Sequence, residues 1–454
     1  MAFGDLLEQV GSTGRFQILH VTLLCMPVLL MASHNLLQNF VAAVPPHYCN
    51  AHTNLSQSQL SPEETLLITV PQDQKGKPQK CQRYVTPQWH LLTKNGSDGS
   101  GEDGDTKEGL DVDLQGCRDG WTYNMTDMSS TIISDWHLVC DLRSLKQMGQ
   151  TVYMGGVLVG AVVFGGLSDR WFHESSRWLV MSNKPEQAIK NLKRVANFNG
   201  RREEGEKIDI KMLRESMTKE MSCSQGSYSV LDLFRTPTMR TITVCLSAVW
   251  FSTSFAYYGL AMDLQKFGVD IYLIQVIFGA VDIPAKVVIT VSMSFIGRRP
   301  SQCGALILAG VTILINLLVP YDKTTTRTCL AVLGKGCLAA SFSCCYLYSG
   351  ELYPTIVRQN GMGWVSMMAR VGAMVAPMVL LTGEYIPWLP GLIYGGAPIL
   401  SGVAAIFLPE TLGSPLPDTI EDVVDRGSGR SSKMSPKEAI ILRDTQANLI
   451  KQAA

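Results

Sequence analysis

Apolar residues along this chain are concentrated in eight long runs, and polar segments separate the runs from one another. The runs lack the period of an amphipathic helix or a half-buried strand. Most are about twenty residues long, which as a helix spans the hydrocarbon core of a bilayer. The pattern therefore predicts eight membrane-spanning helices. They cover residues 16–43, 148–167, 242–264, 271–296, 302–320, 328–348, 361–381 and 389–408.

Composition agrees with a membrane protein, since 46% of the 454 residues are hydrophobic and 17% are charged. The net charge is zero, so no overall field favours nucleic acid, and the charges must be interpreted by their location. Fourteen Lys and Arg residues lie in 169–240, and Arg298, Arg299 and Arg358 mark two short loops. Cytosolic segments carry such an excess, so both termini are predicted to be cytosolic. No cleaved signal peptide is expected.

The polar segment between the first two runs, residues 45–147, has the features of an extracellular domain. It holds four of the twelve cysteines and three N-x-[ST] sequons, both of which suit an oxidising, glycosylating compartment. The alternative is that the sequons arise by chance and the thiols are free. The pairing stays open, because four cysteines allow three connectivities. The cysteines are Cys49, Cys81, Cys117 and Cys140, and the sequon asparagines are Asn54, Asn95 and Asn124.

The two halves of the chain repeat the same order of signals, but the first half is short. In the second half 110 positions separate Arg299 from Pro409, whereas in the first half only four separate Arg170 from Glu174. The first half therefore lacks about 106 residues relative to the second, which is the length of four spans with short loops. An eight-span architecture without any deletion is the alternative.

Several short motifs lie in the loops and spans of this chain. The loop signatures are Asp169-Arg170, Gly297-Arg298-Arg299, Glu174–Leu179, Glu351–Arg358 and Pro409-Glu410-Thr411. More specific stretches are Ala32–Asn35, Gln38–Phe40, Phe255–Gly259, Phe278–Lys286 and Gly334–Cys337. Together these motifs resemble the organic anion transporter subfamily of the major facilitator superfamily, within the solute carrier organic ion transporters. The resemblance runs from Met1 to about Asp425 and implies a pattern of twelve helices. This sequence passes from the first Asp-Arg directly to the loop that follows helix six of the pattern.

The expected fold is an all-α polytopic membrane protein with an incomplete major facilitator superfamily fold of about eight of twelve transmembrane helices. Residues 1–168 form a truncated N-terminal half with the large glycosylated extracellular loop. Residues 169–240 form a cytosolic loop, 241–410 a six-helix C-terminal half, and 411–454 a cytosolic, partly disordered tail.

Three basic residues lie inside apolar runs of the second half, namely Lys286, Lys335 and Arg370. A cation near the middle of a bilayer is costly unless it faces a cavity or a partner, so it indicates a functional site. Arg370 lies near the midplane and could bind a carboxylate through two hydrogen bonds, with a salt bridge to Asp282 or Glu384 as the alternative. Lys286 could equally pair with Asp282 four residues earlier. Lys335 is the weaker candidate, because it could reach the outer surface.

Aromatic and amide side chains are the other predicted binding residues. The family resemblance implies that Arg370 and Lys286 match basic residues of the anion-selective transporters. It also implies that the aromatic positions surround the central cavity. Packing is the alternative for the aromatic residues, and hydrogen bonding between helices is the alternative for the asparagines. The aromatic candidates are Tyr257, Tyr258, Phe342 and Tyr346, and the amide candidates are Asn35 and Asn39.

Charged residues at the cytosolic helix ends are predicted to act in gating. In this superfamily such sets form bridges between the two halves, which break and reform as the halves rock. Without helix three of the pattern, Asp169 lacks its expected partners. The gating candidates are Asp169, Arg170, Glu174, Arg177, Arg298, Arg299, Glu351, Arg358 and Glu410.

The resemblance implies a secondary-active transporter that imports amphipathic organic anions in exchange for an intracellular dicarboxylate. It further implies a multi-pass protein of the plasma membrane, basolateral in epithelia. The alternative is a non-transporting deletion isoform that is retained in the endoplasmic reticulum or modulates full-length subunits. Association into a homo-oligomer is left as an open alternative. No phosphate-binding loop and no metal-ligand motif occurs, so an enzyme, a cofactor, a metal and a nucleic-acid partner are not expected.

Overall fold

The computed structural model describes residues 10–11, 14–50, 60–73, 76–94, 113–126, 130–171, 176–181, 184–213, 229–262, 271–320, 322–383, 385–414, 416–417 and 419–427. Helices dominate it, and eight of them correspond to the eight apolar runs. They are α1 (Arg15–Val41), α5 (Ser144–Trp171), α9 (Pro237–Met262), α10 (Ile271–Phe295), α11 (Arg298–Leu318), α12 (Thr324–Leu352), α13 (Arg358–Thr382) and α14 (Leu389–Ala405).

Seven of these helices are long and apolar enough to cross a membrane, and α14 is a shorter apolar helix of 17 residues. The helix ends lie within a few residues of the predicted ends for most spans. Helix α12 exceeds its predicted run by four residues at each end, because polar residues continue the helix beyond the apolar segment. The prediction of an all-α membrane fold is confirmed.

Helices α9 to α14 form the C-terminal half as one packed bundle. Helix α9 lies against α13, α12 and α14, and α11 packs between α12 and α14. Large side chains fill its interior, among them Trp250, Tyr348 and Tyr353, each almost fully buried. Close packing of such side chains supplies van der Waals contact energy between membrane helices. The six helices of the C-terminal half therefore pack against one another as one bundle.

The N-terminal half contributes two helices, and they are held differently. Helix α5 packs along α13. Helix α1 is largely exposed along its length, and near its C-terminal end Asn39 donates hydrogen bonds to the Ala261 carbonyl and to Gln275 Oε1, each 3.2 Å long. Phe40 stacks on Tyr272 with ring centroids 5.4 Å apart. Both helices of the N-terminal half thus contact the C-terminal half.

The segment between α1 and α5 is a small domain with two disulfides. Its short strands are β1 (His47–Cys49), β2 (Arg83–Tyr84), β3 (Leu114–Gln115) and β4 (Trp121–Tyr123), with β1 paired to β4 and β2 to β3, both antiparallel. Its short helices are α2 (Pro62–Thr69), α3 (His90–Lys94) and α4 (Ile132–Asp135), and a 3-10 turn covers Cys140–Leu142. The disulfides join Cys49 to Cys117 and Cys81 to Cys140.

Of the three sequon asparagines, Asn124 is exposed, and its side-chain oxygen accepts a hydrogen bond of 2.9 Å from the Thr126 hydroxyl. Asn54 and Asn95 lie outside the described residues. The accessible Asn124 is consistent with the predicted modification, which stays a prediction.

At the other end of α1, the loop before the C-terminal half forms a helical module. It contains α6 (Ser176–Met181), α7 (Pro185–Phe198) and α8 (Arg202–Glu206), and a 3-10 turn at Val230–Phe234 precedes α9. Leu179, Leu192 and Ile208 are buried in its core. Beyond α14, helix α15 (Ile420–Gly427) packs on α9 through the buried Val423, so the tail is folded as far as this helix.

Candidate functional site

A cavity of about 220 Å³ lies between the two N-terminal helices and the C-terminal half. Helices α1 and α5 line it with Met31, Asn35, Met154 and Val157. The C-terminal half lines it with Trp250, Ser254, Tyr258, Phe342, Tyr346, Ser366, Ala369, Arg370 and Ala373. Five of the eight predicted binding residues therefore meet at one cavity, at the junction of the two halves.

Among the described residues that line this cavity, Arg370 is the one with a charged side chain. Among the described residues it makes no ion pair, and its Nε is buried without a hydrogen-bond partner. Two acidic partners of Arg370 were considered from the sequence. Asp282 forms a salt bridge with Lys335 instead, and Glu384 lies outside the described residues. The Arg370 guanidinium thus retains a buried hydrogen-bond donor without a described partner.

Lys335 is the lysine that neutralises Asp282. Its Nζ lies 2.9 Å from Asp282 Oδ1, 3.1 Å from the Tyr257 hydroxyl and 3.3 Å from the Phe278 carbonyl oxygen. It also stands over the Tyr257 ring, 4.3 Å from the centroid. Only 5% of its side chain is exposed, so Lys335 is enclosed by its partners and does not extend to the outer surface.

Lys286 faces a second pocket of about 330 Å³, which is lined by Tyr257, Asp282, Lys286, Ala339, Phe342, Ser343 and Tyr346. It is exposed and forms no ion pair with any described residue, so the same-helix pair with Asp282 is absent. The reason is that Lys335 on α12 takes that carboxylate. Phe342 and Tyr346 line both pockets, so they separate the surroundings of Lys286 from those of Arg370.

The aromatic residues around the two pockets contact one another edge to face. Trp250 meets Tyr346 with ring centroids 4.6 Å apart, and Tyr257 meets Phe342 at 5.4 Å. The Trp250 indole N–H donates to the Ser349 hydroxyl at 2.9 Å. Such contacts restrain the rings that line the two pockets. Trp250 was not predicted as a site residue, because a Trp within an apolar run looks like any core residue.

The two asparagines of α1 have different surroundings. Asn35 lines the cavity, and its Oδ1 accepts a hydrogen bond of 3.0 Å from the Tyr153 hydroxyl of α5. Asn39 is hydrogen-bonded to α9 and α10 as described above, which corresponds to the alternative of helix-to-helix bonding. Tyr153 was also not anticipated, since the sequence does not show which residues of α1 and α5 face each other.

The charged residues at the helix ends of the C-terminal half contact other residues of that half. Arg298 binds Glu351 with its Nη2 3.0 Å from Oε1, and the Thr411 hydroxyl donates to Glu351 Oε2 at 2.5 Å. The Arg358 Nε donates to the Tyr353 carbonyl at 3.2 Å. These contacts join elements of one half. Of the first-half candidates, Glu174 and the side chains of Asp169, Arg170 and Arg177 lie outside the described residues.

Glu410 is a second carboxylate acceptor beside Arg298. Its carboxylate accepts backbone N–H groups of Arg298 at 2.9 Å and Arg299 at 3.0 Å, and also those of Thr411 and Leu412. Burial raises the pKa of Glu410, but these four donors outweigh burial, so the pKa lies below its ordinary value. Gly297 has φ +116°, and a Cβ there would lie 2.8 Å from Glu410 Oε2, so only glycine fits this turn.

Comparison with known proteins agrees with this architecture. The family model described as "Sugar (and other) transporter" matches residues 141–422. Solute carrier family 22 member 6 of Pseudopleuronectes americanus is 63% identical over 562 positions and covers 100% of both chains. The protein of the same name from Danio rerio is 54% identical over 563 positions with the same coverage, and that of Oryctolagus cuniculus is 40% identical over 559 positions, covering 99% of each chain.

Among solved structures, the proton:xylose symporter XylE of the major facilitator superfamily is 16% identical, with a TM-score of 0.38 and coverage of 61% of this chain and 65% of that chain. This similarity is too low to add to the sequence relatives.

The bundle of apolar helices around a junction cavity, together with the family match, defines a membrane transporter of the major facilitator superfamily. The chain belongs to the organic anion transporters of solute carrier family 22 within it, which is a family of transporters and not of enzymes. The alignment of 562 positions exceeds the 454 residues of this chain by 108, close to the shortage of about 106 deduced from the internal repeat.

Proposed function

We propose that the junction cavity is the organic-anion site of this chain, and that Arg370 is its charge partner. The resemblance of the motifs implies transport of organic anions in exchange for an intracellular dicarboxylate. We propose the same activity for the site of this chain. The observation that supports the proposal most strongly is the Arg370 guanidinium, which no described acidic residue neutralises.

An unneutralised guanidinium within a membrane bundle is costly, so its retention needs a reason. Lys335 provides the contrast, because its charge is balanced by Asp282 within hydrogen-bond distance. A carboxylate or sulfonate of a substrate would supply the missing partner of Arg370 through charge-assisted hydrogen bonds. The aromatic rings of Trp250, Tyr258 and Tyr346 would hold the apolar part of an amphipathic anion.

Lys286 supports the second part of the proposal, the exchange for a dicarboxylate. Its pocket shares Phe342 and Tyr346 with the Arg370 cavity, and it too lacks a described acidic partner. Two cations that face neighbouring pockets suit an anion with two negative groups. We propose that Lys286 contributes to the binding of such a counter-anion.

A second candidate function follows from the exposed faces of α1 and α5. Ile18, Leu24 and Leu29 on α1, and Val159 and Phe164 on α5, are all at least half exposed. We place the missing helices three to six of the family pattern at the joint after Arg170, where they would lie beside this pair. In their absence the chain would be a non-transporting form that is retained in the endoplasmic reticulum or pairs with full-length subunits, and would not reach the basolateral plasma membrane.

The test of the anion site inserts the segment for helices three to six of the 63% identical relative after Arg170, and compares the repaired chain with its Arg370→Ala variant. Uptake of a labelled organic anion per surface molecule should fall at least about tenfold, because charged hydrogen bonds are lost. Arg240→Ala, which removes an exposed cation at the start of α9, is the matched control and should retain uptake. Unchanged uptake in Arg370→Ala would assign Arg370 a structural role and refute the proposal.

A further inference from the structure

Helix α7 of the helical module between α5 and α9 has an apolar face and a cationic face. Ala188, Leu192 and Ala196 are buried in the core of the module. Lys190, Lys193 and Arg194 lie on the opposite side of the helix and are exposed. At 100° per residue these three cations fall within about one quarter to one third of the helix circumference, so they form one surface, here named the cationic face.

The cationic face is not neutralised by the module itself. None of its three side chains makes an ion pair or a hydrogen bond with a residue that the structure describes. The acids of the module are Glu186, in the first turn of α7, and a group after the helix, of which Glu206 pairs with Arg202 at 3.1 Å and Glu204 with Lys207 at 2.8 Å. The positive charge of Lys190, Lys193 and Arg194 is therefore available to a partner.

Asn199 fixes the end of α7 to the start of α1. Its Oδ1 accepts the backbone N–H of Phe16 at 2.9 Å, and its Nδ2 donates to the Gly11 carbonyl and to Gln17 Oε1, each at 3.1 Å. A Cβ on Gly14 would lie 2.3 Å from the Asn199 side chain, so glycine leaves the space that the amide occupies. Asn199 thus acts as a clamp between the loop and the first span.

This clamp places the end of α7 beside the start of α1. The exposed apolar side chains of α1 begin at Ile18, two residues after Phe16, and the disulfide domain lies at the opposite end of the helix. Lys193 and Arg194 precede Asn199 by six and five residues, which is about 9 Å and about 7.5 Å along a helix. Both cations therefore lie within about one Debye length of the residue that contacts the start of α1, and a charged bilayer surface attracts cations over such a distance.

We propose that the cationic face of α7, Lys190, Lys193 and Arg194, binds the anionic headgroups of the cytosolic leaflet, and that Asn199 holds it there. The partner is a lipid surface rich in phosphatidylserine or phosphoinositide, because the face offers three unpaired cations at the level where α1 enters the bilayer. The inference concerns the cytosolic loop alone and does not depend on transport.

The experiment measures lipid binding to the purified full chain by native mass spectrometry in detergent, with phosphatidylserine, phosphatidylinositol bisphosphate or phosphatidylcholine added. The variant Lys193→Gln/Arg194→Gln should bind both anionic lipids about thirtyfold more weakly, since each cation near a charged surface contributes on the order of a tenfold factor or less. The control Arg202→Gln/Lys207→Gln removes two cations of the same module that are already paired, and should change binding less than about threefold.

Both double variants lie on exposed positions, and size-exclusion profiles that match the unmodified chain establish that they fold. Equal anionic-lipid binding by the two double variants would overturn the proposal. So would equal binding of phosphatidylcholine and phosphatidylserine by the unmodified chain. Binding of a soluble acidic peptide that depends on Lys193 and Arg194, without a matching dependence of lipid binding, would assign the face to a protein partner instead.

Discussion

At the scale of single residues, the charges inside the C-terminal bundle differ in whether a partner neutralises them. Lys335 is enclosed by Asp282, Tyr257 and a backbone carbonyl, so it behaves as a structural cation. Arg370 has a buried Nε without a partner and faces the junction cavity. A structural cation should matter for stability, and a cavity cation for binding.

The stability of the C-terminal bundle should therefore depend on the Lys335–Asp282 pair. Lys335→Met leaves the half-buried Asp282 carboxylate without its cation and should lower the free energy of unfolding by about 3 kcal/mol, as for other broken buried pairs. Adding Asp282→Asn to Lys335→Met should recover most of that loss, because no buried charge then remains. Thermal unfolding of the four proteins in detergent measures this cycle. A double variant as unstable as the sum of the single variants would contradict the pairing.

The sequence located these charges but not their partners. Lys286, Lys335 and Arg370 were identified because each interrupts an apolar run. Sequence spacing reveals only neighbours on the same helix, so Asp282 was considered as a partner of Lys286, four residues away, and of Arg370, but not of Lys335. The pairing of Asp282 with Lys335, 53 residues later, depends on how α10 lies against α12.

At the scale of elements, the contact between α9 and α13 positions Arg370. Gly372, two residues beyond Arg370, lets α13 approach the α9 backbone so closely that an added Cβ would lie 2.4 Å from the Phe251 carbonyl oxygen. A backbone atom in a helix cannot move aside as the end of a flexible side chain can. The position of α13 therefore requires a glycine here.

Replacing this glycine should separate the two helices. Gly372→Ala should destabilise the protein by about 1–3 kcal/mol, which is typical of overpacking in a close-packed interior. Gly363→Ala on the same helix is the matched control, since nothing lies within 4 Å of its added Cβ. The control should be neutral or gain up to about 1 kcal/mol from helix propensity. Melting in detergent distinguishes them, and equal melting temperatures would show that the close approach is absent.

The existence of the spans was predictable from sequence, because about twenty apolar residues leave few alternatives to a membrane helix. The pairing of Cys49 with Cys117 was not, since four cysteines allow three connectivities and the short strands that bring them together carry no strong pattern. The clamp of Asn199 on α1 was likewise hidden, because 183 residues separate Asn199 from Phe16.

At the scale of the whole molecule, the two walls of the junction cavity are unequal. The C-terminal half has six helices, of which α9, α12 and α13 line the cavity. The N-terminal half has only α1 and α5 on the other side, and α1 is largely exposed. Alternating access needs two halves that rock around a central site. With two helices on one side, we expect closure of the cavity toward either face to lack its second set of surfaces.

The most direct test of this account is uptake of a labelled organic anion per surface-resident molecule. The measurement compares the 454-residue chain with the chain in which helices three to six are inserted after Arg170. Glycosylation at Asn124, detected by glycosidase treatment, and an inaccessible C-terminal tag verify that both proteins share one topology. The account predicts negligible uptake by the 454-residue chain and measurable uptake by the repaired chain. Comparable rates from both would contradict it.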